Sequence, residues 1–167
     1  FCIIPQGRGL SKSVEPNIIL EKINNLVDRG FKEIVLTGVD ITCWGSDLSG
    51  NDKLGDLVIK ILDKTPNLPR LRLSSIDVSE MDDGLLHVFK TNKRMMPHLH
   101  LSLQSGNNLI LKRMKRRHSR EQAIDLCKNL KAARPELTFG ADLIAGFPTE
   151  SDTMFSDTVK LVDECDV

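Results

Sequence analysis

Tyrosine is absent from this 167-residue chain, and its aromatics are one Trp and six Phe. Stacking platforms for single-stranded nucleic acid are therefore poorly supplied. An excess of charge of one sign is lacking as well, since 23 Lys and Arg balance 23 Asp and Glu. That excludes a globally basic binder and leaves only a local patch for any phosphate contact. No run of roughly 18 apolar residues and no leader pattern occurs, so the expectation is a soluble, cytoplasmic protein with no membrane partner. Cysteine is sparse: Cys2, Cys43, Cys127 and Cys165 stand far apart, with no CxxC spacing. Free thiols in a reducing compartment fit this scatter better than a disulfide framework. With 40% apolar and 28% charged residues, the chain can build the core of one compact domain or a large piece of one.

Read for period, the chain alternates. Ile18, Ile19, Ile23, Leu26 and Val27 recur at helical spacing over 15–29 behind Pro16, and Gly30 ends that helix. An apolar strand over 32–37 runs into Gly38-Val39-Asp40, and a polar excursion then leads to a helix over 54–64. The unit repeats with a strand over 71–76 and a helix capped by Ser79 that runs to about Lys90. A strand over 98–103 breaks at Gln104-Ser105-Gly106, and helices follow near 107–116 and over 119–133, the second opened by Ser119 with Gln122 three residues on. The last strand, 138–145, is closed by Gly146-Phe147-Pro148, and Thr149 begins a final helix. Strands alternating with long helices imply βαβ units and a parallel sheet. The predicted class is α/β, with about four parallel strands and outer helices arranged as part of a (β/α) TIM-type barrel. A small doubly wound sheet is the structural alternative, because strand number alone does not separate the two. No linker divides the chain.

In parallel α/β folds the functional residues gather where strands end. Here those ends are Thr37-Gly38-Val39-Asp40, Ser74-Ser75-Ile76-Asp77, Ser102-Leu103-Gln104-Ser105-Gly106, and Asp142 through Glu150. Each alone has an ordinary reading: a Gly serves a turn, and a Ser caps a helix. Four polar or Gly-rich ends in succession favour a shared ligand-binding rim. Asp142 stands inside an otherwise apolar strand, where a carboxylate is costly unless paired. Six of the nine residues from Lys112 to Arg120 are Lys or Arg. They suit phosphate contacts, or one could hold a ligand carboxylate; a solvated helix face is the commoner fate of such a run, but its place directly after a rim loop favours function. His98 and His100 alternate with Leu99 and Leu101 and so share one face of a strand, as core or barrel-lumen histidines rather than a metal site without a third ligand.

The chain opens Phe1-Cys2-Ile3-Ile4-Pro5-Gln6-Gly7-Arg8-Gly9. This resembles the last third of the CxxxCxxCxxP cluster loop of radical S-adenosylmethionine (SAM) enzymes. Leu36 to Ile41, Arg72 to Asp77, His98 to Gly106, Leu111 to Ser119 and Asp142 to Glu150 together resemble the radical SAM methylthiotransferases, in order and across the whole chain. The Thr-Gly-Val-Asp and Leu-Ser-Ser-Ile-Asp variants are most similar to the branch that acts on threonylcarbamoyladenosine in tRNA. The isopentenyladenosine and ribosomal-protein branches are the other relatives.

The resemblance implies a transferase that adds a methylthio group to an adenosine beside the tRNA anticodon. It would use a 4Fe-4S cluster, SAM, an electron donor protein and tRNA. Cys2 would be the third thiolate on the cluster. Gly38, Val39 and Asp40 would lie against the amino or methionyl end of SAM, with Ser74 and Ser75 facing SAM from the next strand. Gln104 and Ser105 would stand near the ribose and substrate, Arg116 would meet the SAM carboxylate, and Ile144 and Gly146 would pack on the adenine. The resemblance does not extend to the first two cluster cysteines, the first barrel strand, the N-terminal cluster domain or the C-terminal RNA-binding domain. The chain by itself is therefore expected to carry no cluster and to be inactive. Two other readings stand beside this one: an inert RNA-binding module using the 112–120 run, and a phosphate-binding barrel enzyme with Gln104-Ser105-Gly106 cradling an anion at a helix N-terminus.

Overall fold

A computed structural model describes residues 3–167, so Cys2 lies outside the described residues. In chain order the elements are α1 (Ile4–Arg8), α2 (Pro16–Asp28), β1 (Glu33–Leu36), α3 (Leu54–Lys64), β2 (Arg70–Leu73), α4 (Asp83–Thr91), β3 (His98–Gln104), α5 (Asn108–Arg113), α6 (Arg120–Ala133), β4 (Thr138–Leu143) and α7 (Asp152–Cys165). Single 3₁₀ turns stand at Ile41–Cys43 and Val78–Glu80. The class is α/β, and both strand pairs are parallel, as the alternation predicts. The residues group into two compact units, one running to Ser74 and taking in Asp82–Met96, the other made of Ser75–Met81 and Pro97–Val167.

In the first unit β1 pairs with β2, Ile34 opposite Leu71 and Leu36 opposite Leu73. The crossover helix α3 buries Leu54, Leu57, Val58, Ile61 and Leu62, the face its period predicts. Fully burying such a side chain contributes roughly 1.5–3 kcal/mol. The orphan carbonyls at the end of α3 are met by Arg94, whose Nη1 donates to Thr65 O at 2.9 Å and Leu68 O at 3.3 Å and whose Nη2 donates to Leu62 O. On the outer face Glu33 is held between Arg70 and Arg72, at 2.9 and 2.8 Å.

The expected start of α4 at Ser79 is corrected. Asp82 is the cap, accepting from Leu85 N at 2.9 Å, and its other oxygen accepts from Gly55 N at 3.0 Å. One carboxylate thus serves the first turns of two helices, which Ser79 is not placed to do. Gly55 is required there, since a Cβ would fall 2.1 Å from Asp82 Oδ1. The short, exposed α1 has no counterpart in the predicted elements.

In the second unit β3 pairs with β4, and Ile76 bridges to Leu101 in parallel. Leu99, Leu101 and Leu103 are buried, while His98, His100, Ser102 and Gln104 form the half-buried opposite row. Ser119 and Gln122 make the predicted capping box of α6. The last helix begins at Asp152 with Ser151 as its cap, because Thr149 has φ +73°, which a helix cannot include. Cys127 on α6 and Cys165 on α7 are both buried, and their thiols share a hydrogen bond. That bond, together with burial, pushes the Cys127 thiol well above its ordinary range.

Candidate functional site

Three segments build the polar rim of the second unit. β3 ends at Gln104 in the left-handed region, φ +65°, where the register with β4 shifts. Few non-glycine residues adopt this conformation. Gln104 O accepts from Ile144 N at 2.8 Å, so Gln104 and Ile144 are brought side by side. Ile144 stays 43% exposed and Gly146, at φ +76°, is exposed beyond it. Glu150 closes that loop by accepting from Gly146 N at 2.7 Å, and its Oε1 is buried with no hydrogen bond. Arg113 clamps the same loop, donating to Thr149 O at 3.1 Å and Thr149 Oγ1 at 2.6 Å. A cavity of about 290 Å³ is lined by Ala145, Gly146, Glu150, Ser151, Asp152 and Phe155.

Arg116 reaches this rim through the end of α5. Arg116 N donates to Leu111 O at 2.9 Å and Lys115 N to Lys112 O at 3.1 Å, with Lys115 left-handed at φ +60°. This Schellman-type stop turns the chain and sets Arg116 just past the helix. Its Nη1 lies 3.6 Å from Asp77 Oδ2, too long for a hydrogen bond, and its Nε is buried without a partner. Asp77 is itself fixed by Ser79, whose N and Oγ donate to Oδ1 at 2.9 and 2.6 Å. His118 stands behind it, Nδ1 3.9 Å from Asp77 Oδ1 and Nε2 3.3 Å from Leu103 O. Burial holds the His118 pKa below its usual value, against the opposing pull of Asp77. Neither Asp77 as an ion-pair partner nor His118 is signalled by local sequence; only folding brings them to Arg116.

Ser105 faces inward. It is 1% exposed, its hydroxyl lies 3.2 Å from Thr158 Oγ1, and it accepts from Asn107 N at 3.2 Å. What Ser105 offers is support for the loop rather than a free hydroxyl. Gly106 N is spent on Thr158 Oγ1 at 2.9 Å, and Leu109 N and Ile110 N on Asn107 Oδ1. The anion cradle expected at Gln104-Ser105-Gly106 is therefore corrected: these amides are satisfied within the protein. Ser75 is exposed beside the Ile76 bridge.

The first unit has its own rim. Ser74 N donates to Leu36 O at 2.9 Å, which places Ser74 beside the strand end that leads into Gly38, Val39 and Asp40. The Ser74 hydroxyl is buried and makes no hydrogen bond. Val39 is exposed, and the Asp40 carboxylate accepts from Thr42 Oγ1 at 3.0 Å and Cys43 Sγ at 3.1 Å.

Two sequence expectations change. The side chain of Asp142 is 87% exposed, 3.5 Å from His100 Nε2, so no buried charge needs explaining. In the basic run Arg113 holds Thr149, Arg116 faces Asp77, Arg117 pairs with Glu80, and Arg120 donates to Gly106 O at 2.8 Å and pairs with Glu164. The run is mainly an internal clamp, with Lys112 and Lys115 exposed.

Comparison with known proteins decides the family. A profile of the Radical SAM superfamily matches residues 1–162. The chain belongs to that superfamily. Threonylcarbamoyladenosine tRNA methylthiotransferase MtaB of Rickettsia prowazekii is 50% identical over 167 residues, which is 100% of this chain and 40% of that protein. The tRNA-2-methylthio-N(6)-dimethylallyladenosine synthase of Halalkalibacterium halodurans is 39% identical over 165 residues, 98% of this chain and 30% of that protein. MtaB of Bacillus subtilis is 37% identical over 164 residues, covering 98% and 36%. The chain thus spans well under half the length of these relatives. The radical SAM fold is also met in the cobalamin-dependent S-adenosylmethionine radical enzyme OxsB with aqua-cobalamin bound. The TM-score is 0.68 at 12% identity, over 89% of this chain and 22% of that one. Among the described residues no helix is long and apolar enough to cross a membrane.

Proposed function

We propose that the chain is the SAM-binding part of a radical SAM tRNA methylthiotransferase that adds a methylthio group to threonylcarbamoyladenosine next to the anticodon. The observation that carries this reading is the 50% identity over the whole chain to a protein named for that reaction. The four parallel strands with their helices are read as part of a (β/α) barrel. Its partners are tRNA and an electron donor protein, and its place is the cytoplasm.

The residues fit SAM. In the second unit Arg116, whose Nε has no hydrogen bond and whose side chain is 28% exposed, offers a carboxylate contact, and the exposed Ile144 beside Gln104 offers an apolar rest. A buried polar group left unpaired costs roughly 1–3 kcal/mol, and a ligand that pairs it recovers that cost. In this reading Arg116 takes the ligand carboxylate and Gly38, Val39 and Asp40 flank the methionyl end. Ser74 and Ser75 face the ligand, Gln104 is near the ribose with Ser105 bracing its turn, and Ile144 and Gly146 pack on the adenine. A 4Fe-4S cluster, when bound, supplies the electron that cleaves SAM. Cys2 is the residue of this chain that would ligate it. Cys127 and Cys165 are buried against each other and do not.

The test uses the full-length protein, reconstituted without oxygen. Cys2→Ala should remove the absorbance of one cluster and abolish SAM cleavage, and unchanged cleavage would sink the assignment. Mass spectrometry of tRNA from cells with and without the protein separates the branches. Methylthiolated isopentenyladenosine, the kind of product named for the 39% identical relative, would move the substrate to the second branch.

A further inference from the structure

We propose that Asp77 and His118 are positioning residues that aim the guanidinium of Arg116 at its ligand's carboxylate. The inference rests on the reading of Arg116 as that contact and adds how the contact is set.

The geometry behind it is a three-residue stack. A backbone carbonyl only accepts, so the 3.3 Å approach of His118 Nε2 to Leu103 O places the ring hydrogen on Nε2. In the neutral ring that burial favours, Nδ1 is then a bare lone pair, buried and without a hydrogen bond, turned toward Asp77 Oδ1 at 3.9 Å. Such a nitrogen gives the carboxylate nothing to bind and acts as a wall behind it. Oδ1 is taken up by both donors of Ser79, so Oδ2 is the oxygen turned to Arg116. The spacing of 3.6 Å attracts the guanidinium without consuming its donors, and the side chain stays 28% exposed, which leaves the guanidinium for a ligand. A closer bidentate pair would have filled the fork that recognises carboxylates. His118 is also anchored to Leu103 near the end of β3, so the aim of Arg116 is referenced to the strand that carries Gln104.

Binding of S-adenosylhomocysteine and of 5′-methylthioadenosine, which lacks the amino acid moiety, to the reconstituted full-length protein tests this. Losing one charge-assisted contact corresponds to about tenfold in affinity. Asp77→Ala and His118→Leu should weaken S-adenosylhomocysteine by about that factor while 5′-methylthioadenosine changes less than about twofold. His118→Gln, which keeps a donor toward Leu103 O, should restore affinity. Asp77→Asn, equal in shape, gives the same selective loss if charge aims the arginine, and guards against misfolding of the alanine variant. Equal weakening of both ligands, or no weakening, overturns the proposal. If Arg116→Gln itself shows no selective loss, the reading of Arg116 fails and takes the proposal with it. A selective loss in Arg116→Gln with none in Asp77→Ala or Asp77→Asn rejects the positioning role alone.

Discussion

Gly106 lies against the backbone of α7: a Cβ at this position would fall 2.6 Å from Thr158 Cα and 2.5 Å from Asp157 O. Gly106 N also donates to the Thr158 hydroxyl at 2.9 Å. The glycine after β3 is therefore there for close approach, with φ outside the left-handed region. Gly106→Ala should destabilise the protein by about 2–3 kcal/mol or more, since backbone on both sides has to move. A denaturant midpoint within error of the parent would show that the helix yields freely.

Gly55 gives a parallel case in the first unit. Its Cβ would meet Asp82 Oδ1 at 2.1 Å and Leu85 N at 2.7 Å. Gly55→Ala should break the shared cap of α3 and α4 at a cost of roughly 1–3 kcal/mol. Asp82→Ala should cost a similar amount, and the two together less than their sum, because both remove one device. Full additivity in thermal unfolding would refute the shared cap.

His118 makes stability depend on pH. Its folded pKa is lowered by burial, so the unfolded chain takes up its proton first as pH falls. Its contribution is full above about pH 6.5 and declines as pH drops from there toward the folded value. His118→Gln should flatten the unfolding free energy between about pH 7 and pH 5.5 relative to the parent. Parallel curves for the two proteins would show that the imidazole does not carry this slope.

Glu33 acts at lower pH. The hydrogen bond from Arg72, seconded by Arg70, holds its pKa below the usual carboxylate value. The stabilisation is present above about pH 4.5 and is lost as pH falls through the folded pKa. Glu33→Gln should therefore lose stability at neutral pH and converge on the parent under acid. Both side chains of the pair with Arg72 are about one-third exposed, so salt should reduce the difference.

The basic run divides by partner. Arg120→Ala should lower the unfolding temperature, because it strips Gly106 O and Glu164 of their donor. Lys112→Ala and Lys115→Ala, both at exposed positions, should leave stability within about 0.5 kcal/mol of the parent. If the lysines meet tRNA in the full-length protein, each change should reduce the salt slope of binding by roughly one phosphate contact. A slope change in Arg120→Ala alone would reverse this division.

The period of Leu57, Val58, Ile61 and Leu62, the Ser119 and Gln122 capping box, and the Leu99, Leu101 and Leu103 alternation were legible without coordinates. Each depends on residues within a turn or two of one another. That Asp82, rather than Ser79, caps α4 and also serves α3 is not legible in the sequence, because the second partner, Gly55, is 27 positions away. Asp142 was misjudged because an apolar local context does not report exposure, and the open face of β4 leaves it in water.

By itself the sequence determined the α/β class, the order of strands and helices and, through motifs in register along the whole chain, the family. These are matters of local period and of residue identity, which the chain states directly. The tertiary structure alone decided which groups are spent and which are left over: the Ser105 hydroxyl on Thr158, Arg113 on Thr149, Arg120 on Gly106, and Arg116 Nε on nothing within the protein. Pairing of polar groups across 14 to 53 positions is fixed by packing. No rule of spacing encodes it.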